Sequence, residues 1–170
     1  MGCNTVYLKK NNLIHNPDLV KTKILTSDIL YFGGGDTLKL MEKIDEYHLK
    51  DILVEALNNN VVLAGISAGA ILLSKKGYSD SLILRGESDQ YTFIDGFDFT
   101  DIIITPHYHK DPIKTEQLME YLKESTEEVY GIENGAAIKI EDNKMSVISS
   151  IMDAGVYKIT YKKEFNEKKI

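Results

Sequence analysis

Val61-Val-Leu-Ala-Gly-Ile-Ser-Ala-Gly-Ala70 decides how this chain folds. The apolar run Val61 to Ala64 suits a strand buried on both faces. Gly65-Ile-Ser-Ala-Gly69 follows it, and Ala68 to Lys76 reads as a helix closed by Gly77. A G-x-S-x-G pentapeptide between a strand and a helix is the setting of a nucleophile elbow. Small residues permit the sharp turn that would lift the Ser67 hydroxyl above the sheet. The same turn would put the Ala68 N–H at a helix N-terminus, where it can stabilise an oxyanion. The competing reading is that Ser67 only caps the helix.

The same strand-then-helix order extends to either side. Asp28-Ile-Leu-Tyr-Phe32 is a short apolar run that enters Gly33-Gly-Gly-Asp-Thr37. Beyond it Leu38, Met41, Ile44, Leu49, Ile52, Leu53 and Leu57 recur at near-helical spacing on two successive helices, ended by Asn58-Asn-Asn60. Ile102 to Thr105 is a third strand, stopped by Pro106. Ile113 to Glu124 is an amphipathic helix with Leu118, Tyr121 and Leu122 on one face. Val129 to Ile132 is a fourth strand. Ala136 to Ile140 and Met145 to Ser149 form a hairpin, and Val156 to Tyr161 is a last strand. Continuous apolar strands alternating with helices predict an α/β three-layer sandwich with a mostly parallel central sheet and antiparallel strands added at the C-terminal end.

Length and composition bound what such a fold can do. The 170 residues predict one domain, 1–170, large enough to fold without a disulfide or metal staple. A net charge of −6 argues against nucleic acid or an anionic membrane as partner. The single cysteine, Cys3, excludes an internal disulfide and a cysteine-based zinc site. No run of 18 apolar residues and no apolar leader segment is present, so a cytoplasmic protein is expected.

A serine hydroxyl needs a base. His15 falls in a polar N-terminal loop and His48 between two helices. His107 follows Ile-Ile-Ile-Thr-Pro, at the carboxyl end of a buried strand, where open α/β sheets place their sites. It is the candidate base, and His109, two residues on, is given a substrate-side or structural role. The acid stays open on pattern alone. Asp80, Glu87, Asp89, Asp95, Asp98 or Asp101 would satisfy the Ser–acid–His order of an α/β-hydrolase esterase, whereas Glu133 ends a strand at the same sheet edge as His107. Gly33-Gly-Gly-Asp-Thr37 lacks the lysine of a P-loop and the G-x-G-x-x-G spacing. Its N–H groups are therefore read as a second half of an oxyanion hole, or as a structural turn.

Taken together, Tyr31-Phe-Gly-Gly-Gly-Asp-Thr37, Gly65-Ile-Ser-Ala-Gly-Ala70, Thr105-Pro-His107 and Gly131-Ile-Glu133 resemble the dipeptidase E (aspartyl dipeptidase) and cyanophycinase family of serine peptidases. That resemblance implies a fold related to class I glutamine amidotransferases and a catalytic set Ser67, His107 and Glu133. It also implies an oxyanion hole from the N–H of Ala68 with that of Gly34 or Gly35. Asp80 becomes a substrate-side residue. The aspartyl-specific branch has an Arg early in the helix after the catalytic His; here Thr115 stands there beside Lys114, which joins Asp80 and His109 as a candidate substrate-binding residue. The expected activity is hydrolysis of short peptides through an acyl-enzyme, by a monomer or homodimer, with no metal or organic cofactor. Only 32 residues precede the glycine turn, so the family's first strand–helix unit is expected to be missing. The alternative function is that of a catalytically impaired relative.

Overall fold

The computed structural model describes residues 2–170. Helices α1 (Lys10–His15) and α2 (Pro17–Leu25) come first. The polar loop expected there is thus helical, and His15 ends α1. Pro17 at the first helical position and Asp18 in the first turn start α2, which buries Val20 and Ile24, four residues apart on one face. Strand β1 (Ile29–Phe32) leads through the glycine turn into α3 (Thr37–Glu46), capped by Asp36, whose carboxylate accepts the Lys39 N–H at 3.1 Å. The left-handed His48 separates α3 from α4 (Lys50–Asn58), and β2 (Val62–Gly65) follows.

Helix α5 (Ala68–Leu73) is shorter than its apolar sequence suggests, because β3 (Ser74–Ser79) begins where the helix was expected to continue. Ser74 ends it by donating its hydroxyl to the Ile71 carbonyl at 2.9 Å. Gly77 is no helix stop. It lies in β3 under α5, where a Cβ would stand 2.4 Å from the Ile71 side chain, so only glycine lets the helix fold back onto its own strand. Then come α6 (Ser81–Leu84), β4 (Thr92–Asp95), β5 (Thr100–Pro106), α7 (Pro112–Lys123) and β6 (Val129–Ile132). The chain closes with β7 (Ala136–Glu141), β8 (Lys144–Ser149), β9 (Val156–Tyr161) and β10 (Phe165–Lys169). Asp142 and Asn143, both at positive φ, make the turn of the β7–β8 hairpin.

β1 and β2 pair in parallel, with Phe32 opposite Gly65. The larger sheet runs β10-β9-β6-β5-β3-β4. Its centre, β3-β5-β6, is parallel, and β4, β9 and β10 are antiparallel additions. The α/β class with a parallel centre and added antiparallel strands is therefore observed. Two apolar clusters hold it together. Val20, Ile24, Ile44, Leu53, Ala56 and Leu72 pack the helices α2 to α5 around Leu30 and Phe32 of β1. Tyr78, Leu118, Leu122, Val129 and Ile159 pack α7 against the larger sheet. Each fully buried leucine contributes about 1.5–3 kcal/mol relative to exposure. By contrast Ile29, Tyr31, Val62 and Ile66 leave one side of the β1–β2 pair apolar and exposed. Among the described residues no helix is long and apolar enough to cross a membrane.

Parallel pairing positions the site. Pro106 lies opposite Ile132 in the β5–β6 register, so His107 and the Glu133-Asn134 pair leave the sheet side by side. The Tyr108 N–H donates to the Ile132 carbonyl at 3.0 Å and fixes that exit.

Candidate active site

Ser67 stands between β2 and α5 at φ 53°, ψ −114°, a conformation that a side-chain-bearing residue holds only under constraint. Its side chain makes no capping hydrogen bond to the helix, which removes the capping alternative. Both flanking glycines are required by close approach. A Cβ on Gly65 would lie 2.3 Å from the Gly69 carbonyl carbon, and one on Gly69 would lie 2.2 Å from the Phe32 carbonyl oxygen. That same oxygen accepts the Ile66 N–H at 3.1 Å, so the elbow is pinned to β1. The glycine turn after β1 also touches the serine. A Cβ on Gly34 would be 3.3 Å from Ser67 Cβ, so the glycine turn lies against the serine side chain. Gly35, at φ 131°, has nothing within 4 Å of its Cβ position. Ala68 opens α5, and its N–H belongs to the first turn, where helices leave donors without intrahelical partners.

Ser67 and His107 line one cavity of about 370 Å³, together with the candidate substrate residues Asp80 and Lys114. The acid is where the structure departs from expectation. His107 Nδ1 meets Asn134 Oδ1 at 2.6 Å. Glu133 instead reaches His109 Nδ1 at 3.0 Å and accepts the Gly155 N–H at 2.9 Å. Successive residues leaving a strand point to opposite sides, so a one-residue shift exchanges the partner of the base. His109 consequently lies outside the Ser67 cavity. It borders a neighbouring hollow with Glu133 and Asp153, and its Nε2 meets Glu167 of β10 at 3.2 Å.

Tyr108 adds to that clamp by donating its hydroxyl to Glu167. Burial works against a charge on His109, but Glu133 and Glu167 outweigh it and hold the imidazole above its usual range. Burial likewise pushes Glu133 up, while His109 and the Gly155 N–H bring it below the usual carboxylate range.

Three groupings that pattern alone did not find hold the cavity walls. The Thr37 N–H donates to Ser81 Oγ at 2.8 Å, and Thr37 Oγ1, Ser79 Oγ and Ser81 Oγ lie within 3.0 Å of one another in sequence along a buried chain. Ser79 and Ser81 are thus structural ties between the glycine turn and β3, and Asp80 alone of that segment's acidic and hydroxyl pattern carries charge into the cavity. Arg85 joins Asp36 at 2.8 Å and Glu42 at 3.0 Å, bracing the start of α3. Burial pushes the Asp36 carboxyl up, but Arg85, the Lys39 N–H and Ser81 bring it below its usual value. Finally, Tyr91 donates to Asp111 at 2.6 Å across the cavity mouth.

Lys114 is buried, donates to the Pro106 carbonyl at 2.7 Å and lies 5.3 Å from the centre of the Tyr91 ring. Burial pushes its ammonium down to about 8, against the opposing pull of Asp80 and Asp111. A folded value below the unfolded one means that the folded chain holds fewer protons between the two. Stability conferred through Lys114 therefore rises with pH from about 8 towards 10.5, by roughly 3 kcal/mol at full span. In urea titrations over that window, wild type is expected to gain stability relative to Lys114→Met; parallel curves would refute the burial argument.

Comparison with known proteins follows the same lines. The model of Peptidase family S51 matches residues 1–148. The uncharacterized peptidase YgaJ of Bacillus subtilis (strain 168) is 30% identical over 138 residues, covering 80% of this chain and 57% of that protein. Peptidase E of Haemophilus influenzae (strain PittGG) is 27% identical over 154 residues, covering 84% and 63% respectively. The chain thus spans less than two thirds of the length of these relatives. A crystal structure of a peptidase from an acI-B1 Actinobacterium superposes with a TM-score of 0.55 at 23% identity, covering 96% of this chain and 66% of that one. A structure from Listeria monocytogenes EGD-e superposes with a TM-score of 0.60 at 21% identity over 78% and 64%. At these identities the superpositions establish the shared fold.

Proposed function

We propose, for a chain that belongs to peptidase family S51, that it hydrolyses short peptides as a serine peptidase, with Ser67 as nucleophile and His107 as base. The observation that carries this reading is the conformation of Ser67: an uncapped serine at φ 53°, facing a cavity that it shares with His107. His107 takes the Ser67 proton as the oxygen attacks the scissile carbonyl, then returns it to the leaving amine. The N–H groups of Ala68 and of Gly34 or Gly35 receive the developing oxyanion. Water, activated by the same imidazole, releases the acyl group. Asp80 and Lys114 offer charges of both signs to the ends of a small substrate. A cavity of about 370 Å³ suits a few residues rather than a folded protein.

The esterase order is disfavoured by position: Asp101 is engaged with Lys75 at 2.7 Å on the surface, and Nδ1 of His107 is already held by Asn134. The test is digestion of a library of short peptides by the purified protein, alongside labelling with a fluorophosphonate. Cleavage with modification at Ser67 is expected. Absence of both, or cleavage with Ser67 unmodified and unprotected by the probe, would overturn the proposal.

A further inference from the structure

We infer that Asn134 is the positioning residue for His107, so that the base works against a neutral amide where a carboxylate was expected; this rests on the reading of Ser67 and His107 given above. The geometry is direct. Asn134 Oδ1 stands 2.6 Å from His107 Nδ1, and an amide oxygen can only accept, so Nδ1 carries the proton and Nε2 keeps its lone pair. That tautomer is the one a general base needs. The carboxylate one residue earlier is committed elsewhere, to His109 Nδ1 and the Gly155 N–H. Nor do the other charges around His107 substitute for it. Asp80 after β3, Asp111 and Lys110 in the loop after β5, and Lys114 on α7 line the same cavity, two carboxylates against two ammonium groups.

An amide orients the ring as well as a carboxylate does, but it contributes no full negative charge when the imidazole becomes imidazolium. The transition state that charges the base is therefore less stabilised than it would be beside a carboxylate. Asn134→Asp separates these effects, because it preserves shape and acceptor and adds only charge. A merely structural role for Asn134 would leave the His107 tautomer unchanged in Asn134→Ala and the labelling rate unchanged in Asn134→Asp.

The experiment compares wild type, Asn134→Asp and Asn134→Ala from about pH 5 to pH 9. It reads the His107 tautomer by nitrogen NMR and the rate of Ser67 labelling by a fluorophosphonate. Wild type is expected to hold the Nδ1–H tautomer, and Asn134→Asp to keep it. Plateau labelling in Asn134→Asp is expected to increase about tenfold or more. Asn134→Ala frees the ring to change tautomer and lowers labelling across the range. The NMR readout does not depend on a reactive serine, so the two readings fail separately. Labelled Ser67 with a His107 tautomer that Asn134→Ala does not change overturns the role of Asn134 and leaves the peptidase reading standing. A serine inert in all three proteins overturns the peptidase reading, and with it any catalytic part for Asn134.

Discussion

Ser67→Ala is expected to abolish peptide cleavage and fluorophosphonate labelling while leaving the protein folded. Removing the nucleophile of a serine peptidase costs on the order of 10⁶ in kcat, and no other hydroxyl is placed to replace it. Thr37 and Ser79 line the same cavity, but their oxygens are bonded to one another at 3.0 Å. What remains would come from binding and the oxyanion donors alone. Stability should change little, within about 0.5 kcal/mol. The serine side chain caps no helix, and alanine meets the same strain at φ 53°. The measurements are kcat/KM on a cleaved peptide and Tm. Wild-type turnover in Ser67→Ala would remove the nucleophile assignment, and a large fall in Tm would show that the side chain has a structural duty.

Gly69→Ala is expected to have the largest effect on folding. The added methyl carbon would lie 2.2 Å from the Phe32 carbonyl oxygen, 2.7 Å from the carbonyl carbon and 2.7 Å from Phe32 Cβ. Two of these atoms are backbone of β1, so no rotamer change relieves the clash; α5 must move away from the strand. Helix propensity favours alanine over glycine by about 1 kcal/mol, and overpacking of this kind costs 1–3 kcal/mol or more. A 2.2 Å approach to backbone puts the steric cost at the upper end of that range, for an expected net loss of about 2 kcal/mol in the urea-unfolding free energy. Because the Phe32 oxygen also holds the Ile66 N–H, the displacement reaches Ser67. A misplacement of about 1 Å costs on the order of 10² in rate. A Gly69→Ala protein as stable and as readily labelled as wild type would show that the elbow does not depend on this contact.

These two residues also mark what was legible in the chain. The elbow could be read because strand, glycines, serine and helix are contiguous, and local sterics dictate the turn. The same holds for the amphipathic helix α7 and for the β7–β8 hairpin, whose periodicity and turn lie within one short stretch of chain. The end of α5 was not legible. Ala68 to Lys76 reads as helix by composition, and only the packing of Ile71 over Gly77 turns its second half into strand. Strand β10, with Asn166, Glu167, Lys168 and Lys169, carries almost no apolar signal and forms because β9 offers it an antiparallel edge. The residue facing the base was hidden for a different reason. Glu133 and Asn134 are adjacent and both suit an imidazole, and the choice between them depends on which way each leaves β6, a fact of three dimensions.

The clamp on Glu167 has a consequence for how long the proposed active-site loop keeps its shape. β10 is the outermost strand and pairs with β9 alone, so it is the part of the larger sheet that opens at least free-energy cost. Yet Tyr108 and His109, the two residues that follow the base, are both moored to it. The fraction of time in which the Tyr108 and His109 side chains are moored is therefore capped by the fraction in which β10 is docked. Opening of an edge strand, ordinarily a local event, here reaches the loop that carries the proposed base.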